Sequence, residues 1–295
     1  MFDIYLDKLK REGKSDLTIR QYRSSLARFQ NWFEAEGVGR GDGGTTGIGQ
    51  ATAIDISHFK RFAVRNFKPN TVKQSLSHLR SYFQFLVSQN IIPDNPVQFV
   101  ATITTAKTTP KWLTRTEQNT IIRYVRKYGD LRELTMTTLL LHTGLRVQEL
   151  ADLRLVDIEI GERKGKVIVR QGKHDRHREI PLNADVRHLL KKYLTEYSIS
   201  AYLFPSKTGD KMTTRNIQYI MEKYRKLTGI DHFNCHALRH TFCHELVTRK
   251  ISLDVVARLA GHMRTDGTPN IQQTLVYTQP GEEDLQRAVE ELSWR

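Results

Sequence analysis

Between Ala101 and Lys111 the chain stops reading as helix: Thr102, Thr104, Thr105, Thr108, Thr109 and Pro110 replace the apolar repeats on either side. Threonines crowded ahead of a proline offer neither a stripe to bury nor a backbone that continues a helix. Such a stretch divides the chain into two folding units, one over 1–105 and one over 112–295, with 101–111 as the linker. A length of 295 residues suits that division, since each part is large enough for a core of its own.

Ahead of the linker the period is helical. From Ser15 to Glu36, Tyr22, Leu26, Phe29 and Phe33 recur at helical spacing, with Arg20, Arg23 and Arg28 elsewhere around the helix. A second helix is expected to begin near Asn70, just after Pro69, with Val72, Leu76, Leu79, Phe83 and Leu86 as its apolar stripe and Lys73 and Arg80 outside it. The stripes read as core. The interleaved cations read as a solvated face unless a polyanion binds there. Between the helices, glycines at 37, 39, 41, 43, 44, 47 and 49 predict a flexible loop. A phosphate cradle would need a preceding strand and a following lysine, and both are missing.

Past the linker, Thr114 and Glu117 form a capping box, and a helix from Glu133 to His142 should stop at Gly144 so that Arg146 opens the next segment. Gly165 to Arg170 reads as a strand whose partner is Glu179 to Leu182. The turn between them crowds Lys173, His174, Arg176, His177 and Arg178 at a hairpin tip. Further on, His236 and Arg239 share a helix face beside the apolar Leu238, Phe242 and Leu246. The fold class is therefore mainly α, with a small antiparallel sheet in the second unit.

Charge narrows the partners. Lys and Arg number 46 against 32 Asp and Glu, a net charge of +14, which suits a polyanion without choosing between DNA and RNA. Cys235 and Cys243 are the only cysteines, too few for a disulfide framework. Met1 to Tyr5 carries an early acid and no basic segment leading into an apolar one, so no signal peptide is read. No apolar run approaches the roughly 20 residues of a membrane span. A cytoplasmic protein without a membrane partner is expected.

The last third carries the chemistry. His236-Ala237-Leu238-Arg239-His240, then Gly261-His262, then Tyr277, joined by Arg146 in Thr143-Gly144-Leu145-Arg146, offer a phenol and several cationic donors. A phosphoryl group under attack gathers negative charge on its non-bridging oxygens, and catalysis rests on positioning and on charge stabilisation. Two arginines can hold one phosphate through paired hydrogen bonds while staying charged. Histidines can donate or shuttle protons. The phenol has a reference pKa of about 10, and cationic neighbours should favour the phenolate. That set could attack a phosphodiester without a metal. His240 and His244 lie four apart but lack the companion ligands of a zinc site, so no metal or cofactor is expected. Taken singly, Arg146 is an ordinary ion-pair partner at a helix end, Lys173 a solvated lysine, His236 a satisfied core histidine and Tyr277 a core aromatic.

Together and in this order, the motifs resemble those of the tyrosine recombinases of the Xer, phage-integrase and transposon-resolvase group, over nearly the whole chain. The elements are Arg146 with Glu149, Lys173 after Gly172 in a hairpin turn, His236 with Arg239, Gly261-His262 and Tyr277. The resemblance implies a helical core-binding domain that closes on DNA as a clamp, and a mixed, mostly helical catalytic domain. It implies that Tyr277 forms a 3′-phosphotyrosyl bond, that Arg146, Arg239, His236 and His262 stabilise the pentacoordinate state, and that Lys173 protonates the leaving 5′ oxygen. Glu149 and His240 would support those groups from behind. Arg20, Arg23, Lys73, Arg80, Arg176 and Arg178 are the expected DNA contacts. The implied partners are a double-stranded recombination site and three further copies of the chain in a homotetramer, with room for accessory proteins. No metal or ATP is implied. The carboxy-terminal segment, with Leu285, Ala288, Val289 and Leu292 on one face, is expected to pack at home or to exchange between protomers.

One departure stands out. His262 and Tyr277 are several residues further apart than the family pattern has them, and Gly267 and Pro269 predict an inserted, flexible loop between Met263 and Gln272. No sequence precedes the first helical domain, which favours a compact Xer-like or transposon-resolving enzyme over one with an added arm-binding module. The alternatives are a type IB topoisomerase-like relaxing enzyme and a sequence-specific DNA-binding factor that has lost the reaction.

Overall fold

The structure is a computed structural model that describes residues 2–36, 48–104, 110–171, 176–197, 201–206, 208–264, 266–278, 285–286 and 289–292. Its contacts divide the chain into two compact units, Met1–Lys107 and Thr108–Arg295. Residues 105–109 of the expected linker and 37–47 of the expected glycine loop lie outside the described residues; Ile48–Gln50 forms a single 3-10 turn.

The first unit is built from α1 (Phe2–Arg11), α2 (Asp16–Glu36), α3 (Ala53–Asn66) and α4 (Pro69–Ser88). The expected α4 stripe of Val72, Leu76, Leu79, Phe83 and Leu86 is wholly buried. It packs on Leu26 and Phe29 of α2 and on Ile56 and Phe59 of α3, with Phe29 and Phe59 meeting edge to face at 5.0 Å. Burying each such Leu, Ile or Phe contributes about 1.5–3 kcal/mol over leaving it exposed. Tyr22 is less buried than its place in the stripe suggests and stacks on His78 at 3.9 Å. The α4 cap is Lys68 with Pro69 at the first helical position, not Asn70, because proline's missing N–H costs nothing there. Helix α3 opens with a capping box between Thr52 and Asp55.

The second unit wraps α5 (Arg115–Tyr128), α6 (Leu131–Thr143), α7 (Val147–Asp152), α8 (Ala184–Glu196), α9 (Thr214–Thr228), α10 (Cys235–Thr248) and α11 (Leu253–Ala260) around an apolar core that includes Leu139, Leu140, Leu190, Ile217 and Leu238. A short α12 (Ile271–Thr274) and a 3-10 turn (Leu275–Thr278) follow. The sheet is antiparallel in the order β1 (Ile158–Ile160), β2 (Gly165–Gln171), β3 (Arg176–Pro181). The β2–β3 hairpin pairs Val167 with Ile180 and Val169 with Arg178, and Val167, Val169 and Ile180 are buried. The Thr114–Glu117 capping box and the stop at Gly144 form as the sequence reads them. Gly144 takes φ +61°, and a Cβ there would lie 2.3 Å from the Phe242 ring, so both backbone and packing call for glycine. That tight approach brings the α6 end against α10 and aims the next residues at one place.

Candidate functional site

Arg146 caps α7, and its backbone N–H donates to Glu149 Oε2 at 2.7 Å. Its side chain splits between Glu149 Oε1, 2.8 Å from Nη1, and the Gly261 carbonyl, 3.0 Å from Nη2. Helix α10 is capped by Asn234, whose side chain accepts from the N–H groups of His236 and Ala237. One turn on, Arg239 is only 4% exposed. Its guanidinium donates to the carbonyls of Gly144 and Ala260 and to His262 Nε2, the last at 2.9 Å. His236 is exposed near the start of α10, with its ring 6.4 Å from that of His240. The expected shared outward face of His236 and Arg239 is therefore split: the histidine faces out and the arginine in. An open cleft of about 400 Å³ lies against this helix start, lined by Lys111, His232, His236 and His240.

Arg178 corrects the sequence reading. It was expected as a surface DNA contact, yet its side chain is 11% exposed and clasps the 12% exposed Glu149 in a two-pronged pair, Nη1 to Oε1 at 2.9 Å and Nη2 to Oε2 at 2.8 Å. Its Nε donates to the Leu259 carbonyl at 3.0 Å. Gly261, at φ +69°, leaves room for it, since a Cβ there would sit 2.7 Å from Arg178 Nη1. Period-two alternation counted back from buried Ile180 lands on Arg178, and that was the available signal.

Three guanidinium groups thus converge on the carboxy-terminal end of α11, where Leu259, Ala260 and Gly261 offer unpaired carbonyls at the negative end of the helix. Among the described residues they share one carboxylate, Glu149. The two flanking salt bridges hold that carboxyl down to about 2 against the cost of its burial. Burial and the neighbouring Arg239, Arg146 and Arg178 push the His262 pKa to about 3. Burial, His236 and Arg239 push His240 to about 4. Both imidazoles are neutral, so the cluster keeps an uncompensated positive charge in a largely buried pocket. An anion completes it.

Tyr277 sits on the rim of this cluster. Its ring is 4% exposed, stacks nearly parallel to His262 with centroids 5.9 Å apart, and packs with Cys243, Val256 and Ala260. Its hydroxyl lies 3.1 Å from His240 Nδ1. Burial and Cys243 raise the phenol pKa above its usual value, while Arg239 and Arg146 pull the other way and lose. The expected phenolate is therefore not favoured in the free protein. The backbone carrying the ring is peripheral, since Leu275 and Thr278 on either side are exposed. The segment before it was expected to be a flexible insertion, but it folds back on itself. Arg264 N donates to Thr268 O at 2.8 Å, Gly267 turns at φ +85°, and Asn270 N returns to His262 O at 2.7 Å.

Other expected residues lie elsewhere. Lys173 falls outside the described residues, as does the side chain of Arg176, whose backbone opens β3. In the first unit Arg20 and Lys73 are exposed. Arg23 is exposed and 3.4 Å from Asp3, whereas Arg80 is half-buried and donates to the Val97 carbonyl at 3.3 Å. Arg80 is thus occupied within its own unit. No helix among the described residues is long and apolar enough to cross a membrane. Nor do three or more His, Cys, Asp or Glu among them converge as a metal site would require.

Residues 111–282 match the phage integrase family, and residues 2–90 match the phage integrase N-terminal SAM-like domain. The chain belongs to the phage integrase family, the tyrosine recombinases, enzymes that cleave and rejoin DNA. It is 27% identical over 291 residues to a TnP I resolvase of Bacillus thuringiensis, covering 96% of both chains. It is 29% identical to the tyrosine recombinase XerA of Thermococcus kodakarensis, covering 98% of this chain and 93% of that one. Among solved structures, its fold matches the XerH recombinase bound to a palindromic difH substrate after cleavage, with a TM-score of 0.76 and 20% identity over 93% of this chain and 79% of that one. It also matches the Tn1549 transposon integrase bound to a circular-intermediate DNA, with a TM-score of 0.73 and 19% identity over 99% of each.

Proposed function

We propose that the chain is a cytoplasmic site-specific recombinase in which Tyr277 attacks the scissile phosphate. The attack gives a 3′-phosphotyrosyl bond and releases a 5′ hydroxyl, and a second 5′ hydroxyl reverses it to rejoin the strands. The observation that carries the proposal is the charge imbalance of the pocket: three guanidinium groups around one carboxylate, beside two neutral imidazoles and a phenol. A phosphodiester supplies the missing negative charge. Arg146 and Arg239 exchange their backbone carbonyl acceptors for its non-bridging oxygens, and Arg178 with Glu149 holds Arg146 in place. His236 completes the contacts on the pentacoordinate state, and His262 supports them through its bond to Arg239. Lys173 protonates the departing oxygen. Neutralising the cluster also relieves the repulsion between its cations.

For Tyr277 to reach the phosphate, its hydroxyl must leave His240 and the turn 275–278 must shift outward. Arg20, Arg23 and Lys73 contact the DNA backbone from the first unit, and four copies of the chain assemble on two paired sites, exchanging the exposed Leu285, Val289 and Leu292 face. The test is incubation with circular DNA of the host element in chelator and without ATP, followed by sequencing of the products. Recombinant junctions at one recurring sequence support the proposal. Relaxed circles without fixed junctions point instead to a supercoil-relaxing enzyme, and intact DNA under all conditions points to a binding factor.

A further inference from the structure

We propose that Thr274 is a positioning residue that holds the His262 ring and, through it, the aim of Arg239; this rests on the reading of the site given above. Arginine has five donors and no acceptor. Because Arg239 Nη2 lies 2.9 Å from His262 Nε2, that nitrogen must carry a lone pair. A neutral imidazole then has its proton on Nδ1, and Nδ1 faces Thr274 Oγ1 at 3.1 Å. Thr274 Oγ1 accepts there and donates its own hydrogen to the Asn270 carbonyl at 3.3 Å. Every link has one direction: Arg239 to His262, His262 to Thr274, Thr274 to Asn270.

The chain of bonds is closed to water. Thr274 is fully buried and His262 is 2% exposed, so no solvent can replace a lost partner. The charged and titratable groups facing the ring are Arg239 and His240 from α10, Arg146 from the start of α7, Arg178 from β3 and Tyr277 from the 3-10 turn. All but the neutral His240 and Tyr277 are cations, so a second ring proton is disfavoured and the choice of tautomer is the only one left. Arg239 makes that choice, and Thr274 accepts the Nδ1 hydrogen that results; without an acceptor at position 274 that N–H is buried unpaired, and the ring turns from the line on which Nε2 receives the Arg239 hydrogen. The guanidinium then loses that partner. Thr274 and Tyr277 belong to one short segment that Asn270 N also ties to His262 O at 2.7 Å, so the stretch that carries the phenol also sets the phosphate grip.

The test compares Thr274→Val, which keeps the shape and removes the hydroxyl, with Thr274→Ser, which keeps the hydroxyl. Nitrogen NMR of the full chain with 15N-labelled histidine, without DNA, reads the His262 ring directly, its signals assigned by their loss in His262→Asn. The expected result is a protonated Nδ1 and bare Nε2 in all three proteins, with Thr274→Ser resonating as the wild type does and Thr274→Val displaced at Nε2, the nitrogen that Arg239 contacts. Single-turnover DNA cleavage should fall about five- to tenfold in Thr274→Val and return in Thr274→Ser, with unchanged circular dichroism. A Thr274→Val protein whose Nε2 resonates as in the wild type, or a Thr274→Ser protein that behaves like Thr274→Val, overturns the proposal. Because the NMR result needs no cleavage, failure of Tyr277 as nucleophile would be seen separately.

Discussion

Replacing Glu149 by glutamine removes the one carboxylate of the cluster and points amide hydrogens at guanidinium groups. Arg178 keeps at most one prong, to a neutral carbonyl oxygen, of a pair in which neither side chain is more than 12% exposed. Breaking a buried ion pair from one side costs about 3–5 kcal/mol, since the other charge stays buried and unmatched. The Arg146 arm is 36% exposed and contributes little after solvent screening. The lower end, about 3 kcal/mol, is therefore expected. Proton linkage gives a second route to the same figure. The Glu149 carboxyl titrates at about 2 in the folded chain against an ordinary value of 4.5, and that difference corresponds to about 3 kcal/mol. The folded pKa is depressed, so this stability is present above about pH 4.5 and is lost as pH falls toward 2.

Urea unfolding of the wild type and Glu149→Gln, followed by circular dichroism from pH 7 down to pH 3, reads both effects. The gap between the two proteins should be about 3 kcal/mol at pH 7 and should narrow steadily below pH 4.5. Histidine titration occurs in both proteins and cancels in the difference. Glu149→Leu combined with Arg178→Met should recover part of the loss, because neither buried charge of that pair is left unmatched. A gap under about 1 kcal/mol at pH 7, or one that does not change between pH 5 and 3, refutes the reasoning.

Three further outcomes follow from the geometry. His262 and His240 titrate at about 3 and about 4 when folded, below the ordinary histidine value of 6.5. Their contribution is complete above about pH 6.5 and is lost as pH falls, by about 2 kcal/mol per histidine at pH 5, and His262→Asn should remove one share of that slope in urea titrations. Arg239→Lys keeps the charge but lacks the planar fork that grips a phosphate with two parallel hydrogen bonds, so single-turnover cleavage should fall by about a hundredfold or more. Arg20→Ala and Lys73→Ala should each reduce the slope of log affinity against log salt by about 0.9 in fluorescence-anisotropy titrations with duplex DNA.

Local features of this fold were legible in the sequence because they depend on near neighbours. The α4 stripe, the Thr114–Glu117 capping box and the left-handed stop at Gly144 are each set within a few residues. Arg146, Glu149, Arg239, His240, His262 and Tyr277 were all singled out by residue type and order, and the structure brings them to one place. What the sequence hid is long-range. Arg178 sits in a crowd of hairpin cations that looks solvated, and only its register opposite Val169 turns it inward. The end of α11 cannot be recognised as a shared acceptor for three arginines from α11's own residues. The fate of the Tyr277 phenol turned on a competition between burial and cationic neighbours, which residue type alone does not decide. Helix α3, not among the elements expected above, was readable from Thr52 with Asp55 and from Ile56, Phe59 and Ala63.

The account rests on a covalent bond between the Tyr277 oxygen and the 3′ side of a cut strand. Its most direct test uses a nicked suicide duplex that loses a short 5′ fragment after cleavage, followed by nuclease and protease digestion and mass spectrometry of the trapped protein. The predicted result is a nucleotide-bearing peptide that contains Tyr277, absent when Tyr277→Phe is used. A nucleotide on any other side chain, or an adduct that persists in Tyr277→Phe, contradicts it.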